Sequence, residues 1–468
     1  MLGSVTSARS TLRRFDLLCA AILLAPSLGL AATPAQTKAV DAIFSEFGQT
    51  TPGCAVAVEQ GGKRLLTKAY GMADLEWGER ITPDTVFESG SVAKQFTAAA
   101  VALLASQGKL SIDDDAHKYL PELPDYGAKL TLKHLLHHTS GLRDWSDIVE
   151  LEGWPRTSRA VSEDFAAQAI FRQKELNFTP GTQYSYSNSN YVLLTLVVQR
   201  VSGQSLEEFT EANLFRPLDM SHTGWRTDFT RIVAHRAEGY RKAEDGSWRL
   251  NMPFENVIGH AGVLTTIGDL MRWNEALTNP PDSFKPWVPM MTYSDAIRMG
   301  YPSGYALGLA IGKINGDMAI SHTGSTAGYH TFLARFPDQK LSIGFLCNSA
   351  TVNTGLTGAG LEAIFSPTAK ADPIPAPKPA PVSEWQPSVQ DLAGLVGHYH
   401  SDEASVTLTA KPIAGVLTLT APSGRAIPLR PLTQGHFISL DGSWRVEFAP
   451  EGMKMHSDRV FAIWFGRQ

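Results

Sequence analysis

Ser91 and Lys94, three positions apart, place a hydroxyl and an amine at the head of a segment that is otherwise apolar. Apolar side chains at 92, 96, 99, 100, 103 and 104 predict a helix from Val92 to Ala105 that is buried on almost every side. Gly108 supplies its left-handed stop. Lys94 is the only charged residue between Glu88 and Lys109. An ammonium held in such surroundings costs several kcal/mol or gives up its proton. It falls one turn from Ser91 on the same face, which is the arrangement of a serine nucleophile and a group that activates it. The competing reading is a capping serine beside a lysine that snorkels to the surface. Spacing alone decides little, because Ser106-Gln-Gly-Lys109 repeats it across the predicted helix end.

A serine that opens an amide or ester also needs a proton relay and donors for the oxyanion. Tyr186-Ser-Asn188 lies in a polar, aromatic loop that follows Pro180-Gly181. A tyrosine close to a cationic lysine is expected to have a lowered pKa and to shuttle a proton. The alternative is a loop tyrosine followed by a capping asparagine. His-Thr-Gly occurs at 222–224 and again at 322–324. Histidines 134, 137 and 138 read as helix-end and turn residues, since no acidic residue joins them at a metal-binding spacing. No metal and no cofactor is expected.

These residues need elements to hold them. A helix is predicted over 35–47, a hairpin over 53–59 and 63–70, and helices over 191–201, 206–214 and 268–276. Strands follow at 304–313, 318–323, 329–336 and 341–348, then a helix at 354–365. A hairpin, a long helical middle and further strands predict an α+β domain: an antiparallel sheet built from both chain ends, flanked by helices, over residues 32–366. Alternating prolines at 370–381 mark an extended linker, assigned to 367–388. Beyond it, from 389 to 468, short alternating segments at 397–401, 405–410, 415–421, 426–430, 435–439, 443–449, 452–456 and 459–466 predict a small antiparallel β-barrel.

Composition excludes several roles. The 468 residues are 43% hydrophobic and 19% charged, with net charge -5 and no basic stripe, so nucleic acid is not an expected partner. Arg9, Arg13 and Arg14 precede a mostly apolar run from Leu17 to Leu30 and a small-residue site near Ala31. This pattern predicts a signal peptide over 1–31, a periplasmic or secreted protein, and no stable membrane span after cleavage. Cys54 and Cys347 then lie in an oxidising compartment on two β-like runs, open to a disulfide or to two buried thiols. Oligomeric state has no signal in the sequence.

In order, Ser91-Val-Ala-Lys94, Tyr186-Ser-Asn188 and His322-Thr-Gly324 resemble the three motifs of the serine β-lactamase and penicillin-binding-protein superfamily. The likeness is greatest to its class C β-lactamase, D-Ala-D-Ala carboxypeptidase and D-aminopeptidase branch, and covers about residues 36–366. The family's third motif lies on a strand, which selects 322–324 over 222–224. The resemblance implies an acyl-enzyme on Ser91, with Lys94 helping to deprotonate it and Tyr186 transferring a proton. Asn188 would bind the substrate amide. His322 and Gly324 would line a strand edge along which substrate adds, and Ser91 and Ser325 would supply the oxyanion N–H groups.

Lysine stands in class C β-lactamases where this chain has His322. Histidine titrates near 6.5, so β-lactam hydrolysis is not expected to be the main activity, and carboxylate recognition there is expected to weaken above about pH 7. Expected substrates are short peptides or amides with D-amino acids. An esterase or β-lactamase of the same fold, or a slowly deacylating penicillin-binding receptor, are the alternatives. The C-terminal region resembles the lipocalin-like barrels of D-aminopeptidases, which shape or cap the cleft.

Overall fold

The structure is a computed structural model and describes residues 1, 3, 31–154, 159–294, 304–370 and 385–468. The expected signal segment and most of the proline-rich linker lie outside the described residues. Seven antiparallel strands form the main sheet in the order Gly304–Tyr305, Ala310–Ile314, Asp317–Thr326, Tyr329–Phe336, Leu341–Cys347, Cys54–Gln60 and Lys63–Tyr70. The early hairpin thus completes a sheet begun late in the chain. Helices cover both faces of the strand Cys54–Gln60, so its residues are apolar in succession. Ala55 and Ala57 face the large helical core, and Cys54, Val56 and Val58 face the terminal helices Pro34–Ile43 and Thr354–Phe365. On the first face, Met271 of helix Ile267–Thr278 lies against Gly344, and Asn274 Nδ2 donates to Ala334 O at 3.0 Å.

Two sequence expectations change. The run 304–313 is not one strand: it breaks at 306–309 and folds back, pairing Gly304 with Ile311 and Tyr305 with Ala310. The strand expected over 318–323 continues through the third motif to Thr326. Cys54 and Cys347 are register partners on adjacent strands and form a disulfide that spans 293 positions of sequence. No helix among the described residues is long and apolar enough to cross a membrane.

Eight strands between Gly397 and Arg467 close into an antiparallel barrel. The last differs from expectation: the strand is Ile463–Arg467, and 457–462 form a loop. This loop and its neighbours dock on the first domain. Ile148 and Leu151 of the first domain belong to the barrel's own apolar core. Around that contact, buried Arg143 pairs with Glu403 at 2.8 Å and Arg425 with Glu150 at 2.7 Å.

Reducing the Cys54–Cys347 bond reopens a very long loop in the unfolded chain. In the chain-entropy picture such a bond contributes about 5–6 kcal/mol. Thermal unfolding with and without reductant, beside a Cys54→Ala/Cys347→Ala variant, is expected to show a loss of several degrees. Identical transitions would mean that the sheet needs no staple.

Candidate active site

A turn of 3-10 helix, Gly90–Ala93, carries Ser91 and leads into helix Lys94–Ser106, which is buried over most of its surface. The entry is fixed from below. Glu88 accepts from Arg226 Nε at 2.8 Å and Nη2 at 3.0 Å, both side chains being fully buried. From the side, the strand Asp317–Thr326 presses against the turn. A Cβ on Gly324 would lie 2.0 Å from Ser89 O, and one on Gly90, which has φ +53, would lie 2.7 Å from Ser325 N. Glycine at both positions is therefore a condition of contact. The same approach brings the backbone N–H groups of Ser91 and Ser325 to one end of the cleft.

Lys94 is fully buried. Its Nζ donates to Ser91 Oγ at 3.1 Å, Asn188 Oδ1 at 2.8 Å and His260 O at 2.7 Å. These three acceptors are neutral oxygens that fix the direction of the Nζ group. Asn188 opens helix Asn188–Ser202, and its own N–H donates to Asp144 Oδ2 at 2.7 Å. Tyr186 lies two residues ahead, its ring centroid 4.7 Å from Lys94 Nζ. His138, held at φ +56, packs its ring at a tilt of 35° against that ring, centroids 4.3 Å apart, and accepts from Ser187 N at 3.2 Å. Burial holds the His138 imidazole neutral, well below its ordinary pKa.

Two electrostatic expectations are corrected. Tyr186 is not acidified: burial raises its pKa above the ordinary phenol value, with Ser91 and then Arg459 opposing the rise. Its Oη has no complete hydrogen bond, although Ser91 is near enough to act on it. His322 does not titrate near neutrality. Burial first, then the Lys94 charge, lower its pKa to about 4. Its Nδ1 faces Thr323 O at 2.5 Å, and a carbonyl can only accept, so Nδ1 carries the proton and Tyr305 Oη donates to Nε2 at 2.9 Å. A neutral His322 is no cation for a carboxylate at any pH near 7. His222, by contrast, is exposed on a loop, its N–H donating to Asp269.

Ser91, Tyr186, Asn188, His322 and Ser325 line one cleft of about 420 Å³. Gly324 sits at its wall, against the turn that carries Ser91. The sequence reading missed Asp147, which also lines it, and Arg459, which comes from the barrel. Asp144 caps helix Trp145–Glu150, which carries Asp147, and an aspartate at that N-cap position was the available signal. Burial and the neighbouring Asp144 raise the Asp147 pKa to about 7. Arg459 gave no signal, since its stretch reads as strand.

A buried amine on a serine oxygen, a tyrosine beside both and paired backbone donors make a site suited to acyl transfer. Residues 40–362 match the family described as Beta-lactamase, and the chain belongs to it. Protein flp of Staphylococcus aureus strain MRSA252 is 29% identical over 303 residues, 64% of this chain and 59% of that protein. The chain thus matches less than two thirds of the length of that relative. A D-aminopeptidase of Gluconobacter oxydans strain 621H is 28% identical over 385 residues, 81% of this chain and 68% of the relative. Among solved structures, an octameric penicillin-binding protein homologue from Pyrococcus abyssi superposes with a TM-score of 0.62 at 21% identity. That match covers 93% of this chain and 99% of the other.

The His322 environment has a consequence for stability. Its folded pKa lies below the unfolded value of about 6.5, so the unfolded chain binds more protons between the two, and stability is lost as pH falls through that window. Between about pH 7 and pH 4.5 the wild type is expected to lose about 2 kcal/mol more than His322→Gln, measured by urea unfolding. Parallel pH curves would show that His322 carries no such strain. Gly324→Ala drives a methyl into Ser89 O and is expected to cost about 1–3 kcal/mol in the same assay.

Proposed function

We propose that this protein is an exported serine hydrolase that forms an acyl-enzyme on Ser91 and acts on short peptides or amides containing D-amino acids. The observation that carries the proposal is the 3.1 Å contact between buried Lys94 Nζ and Ser91 Oγ, on the same cleft as Tyr186. The Gluconobacter D-aminopeptidase supports the substrate class. The Cys54–Cys347 disulfide and the basic-then-apolar N-terminus support export.

The chemistry follows from the surroundings. Ser91 Oγ attacks the carbonyl carbon, and its proton passes to the Lys94–Tyr186 pair. Burial keeps Tyr186 a phenol, so the acceptor is the fraction of Lys94 present as free amine, the ammonium being the form whose charge bears on His322. Tyr186 gives its own proton to the departing nitrogen and recovers one from Lys94. Negative charge on the carbonyl oxygen is met by the N–H groups of Ser91 and Ser325, each donor of this kind contributing about 3–4 kcal/mol in the transition state. Asn188 divides its side chain between Lys94 and the substrate amide. Water then repeats the sequence in reverse on the ester.

Mass spectrometry after treatment with a fluorophosphonate or benzylpenicillin is expected to place one adduct on Ser91 and none on Ser91→Ala. Release of p-nitroaniline from D-alanine p-nitroanilide is expected to fall about 10³-fold or more in Lys94→Ala and about 10²-fold in Tyr186→Phe. Ser91→Ala that still takes the label or turns over substrate would falsify the assignment.

A further inference from the structure

The strand that carries the third motif presents no cation to the cleft, because His322 is neutral. Lys94 is buried beneath Ser91 with its Nζ on three oxygens. Among the described residues that line the cleft, the cation is Arg459. It does not belong to the domain that holds Ser91 but comes from the barrel loop 457–462.

The loop is fixed by its backbone, and the side chain is held only by a long ion pair with buried Asp144 and by the Tyr186 ring. Arg459 O accepts from Asn177 Nδ2 at 2.9 Å and Asp144 N at 3.3 Å. Phe461 N donates to Asn177 Oδ1 at 2.8 Å, and Ser457 Oγ donates to Asp147 Oδ2 at 2.9 Å. The guanidinium lies 5.2 Å from the centre of the Tyr186 ring. Its nearest carboxylate is Asp144 Oδ2, 3.7 Å from Nη1, beyond a hydrogen bond. With 41% of its side chain exposed, Arg459 offers planar N–H donors to whatever occupies the cleft.

The acids of the cleft have hydrogen-bonded partners, whereas Arg459 meets Asp144 only at ion-pair distance. Glu150 is paired with Arg425 at 2.7 Å. Asp147 accepts from Ser457 and holds its proton more tightly than an ordinary carboxylate. An incoming ammonium finds no unclaimed anion here, whereas an incoming carboxylate finds a fork of donors that matches its two oxygens.

We propose that Arg459 binds a free carboxylate on the leaving-group side of the scissile amide. The cleft then favours substrates that end in a D-amino acid with its carboxyl unblocked over those blocked there. This rests on the acyl-enzyme reading above, since Arg459 sits over Tyr186, the residue there assigned to protonate the leaving nitrogen. It also makes the barrel a supplier of specificity.

The test compares N-acetyl-D-alanyl-D-alanine with its C-terminal amide on wild type, Arg459→Gln and Arg459→Lys, with thermal unfolding run on each protein. Wild type is expected to favour the free acid at least tenfold in kcat/KM. In Arg459→Gln the preference falls to near one, with KM for the acid carrying the change, and Arg459→Lys keeps part of it. A wild type that turns over the amide as readily as the acid overturns the proposal. So does an Arg459→Gln variant that loses both substrates in equal proportion, which would make Arg459 a support for Tyr186 instead. If Ser91 labels with a fluorophosphonate while the acid preference is absent, carboxylate recognition alone fails. If Ser91 of the wild type takes no label, the acyl-enzyme reading fails and this proposal goes with it.

Discussion

Lys94 sits where water cannot reach it, and most of the first domain can be read as the means of keeping it there. A buried amine must be oriented by polar atoms or it costs several kcal/mol. The atoms that do this come from three separate stretches: the Gly90–Ala93 turn, the start of helix Asn188–Ser202 and the carbonyl of His260. Each stretch is itself held by buried partners. Glu88 is locked to Arg226, Asn188 N is bound by Asp144, and Gly259 O, beside His260, accepts from Thr97. A nucleophile turn, a proton relay and an oxyanion wall are thereby brought together by one solvation problem.

The same logic explains why burial sets the titration behaviour here more than any single neighbour does. Tyr186 and His322 both respond first to loss of water, so both stay neutral while Lys94 remains a hydrogen-bond donor between them. A site assembled this way has few formal charges to attract an ionic substrate. The barrel loop changes that by bringing an arginine to the rim, where part of its side chain is still hydrated.

Much of this was legible in the sequence, for identifiable reasons. Ser91 and Lys94 stood out because a lone charge in an apolar helix has few structural explanations. The antiparallel sheet was legible in outline from its alternating runs and turn residues, whereas Cys54 and Cys347 were left open between a disulfide and two buried thiols until the strands were seen to be neighbours. The break at 306–309 was hidden because a tight return between two short strands leaves the hydrophobic pattern almost unbroken. Arg459 was hidden for a deeper reason: its role depends on how a second domain docks, and local periodicity carries no information about that. The pKa errors had a common source. Neighbouring charges can be guessed from motifs, but depth of burial is a property of the packed molecule.

The main sheet takes its sixth strand, Cys54–Gln60, from near the start of the chain and that strand's neighbour, Leu341–Cys347, from hundreds of residues later. Contacts so distant along the backbone form late in folding. While a ribosome is still adding the middle of the molecule, one edge of the early hairpin has no native partner, and the loop that covers Tyr186 does not yet exist. Ser91 is therefore made early, while the strand that walls its cleft, Asp317–Thr326, is made more than two hundred residues later.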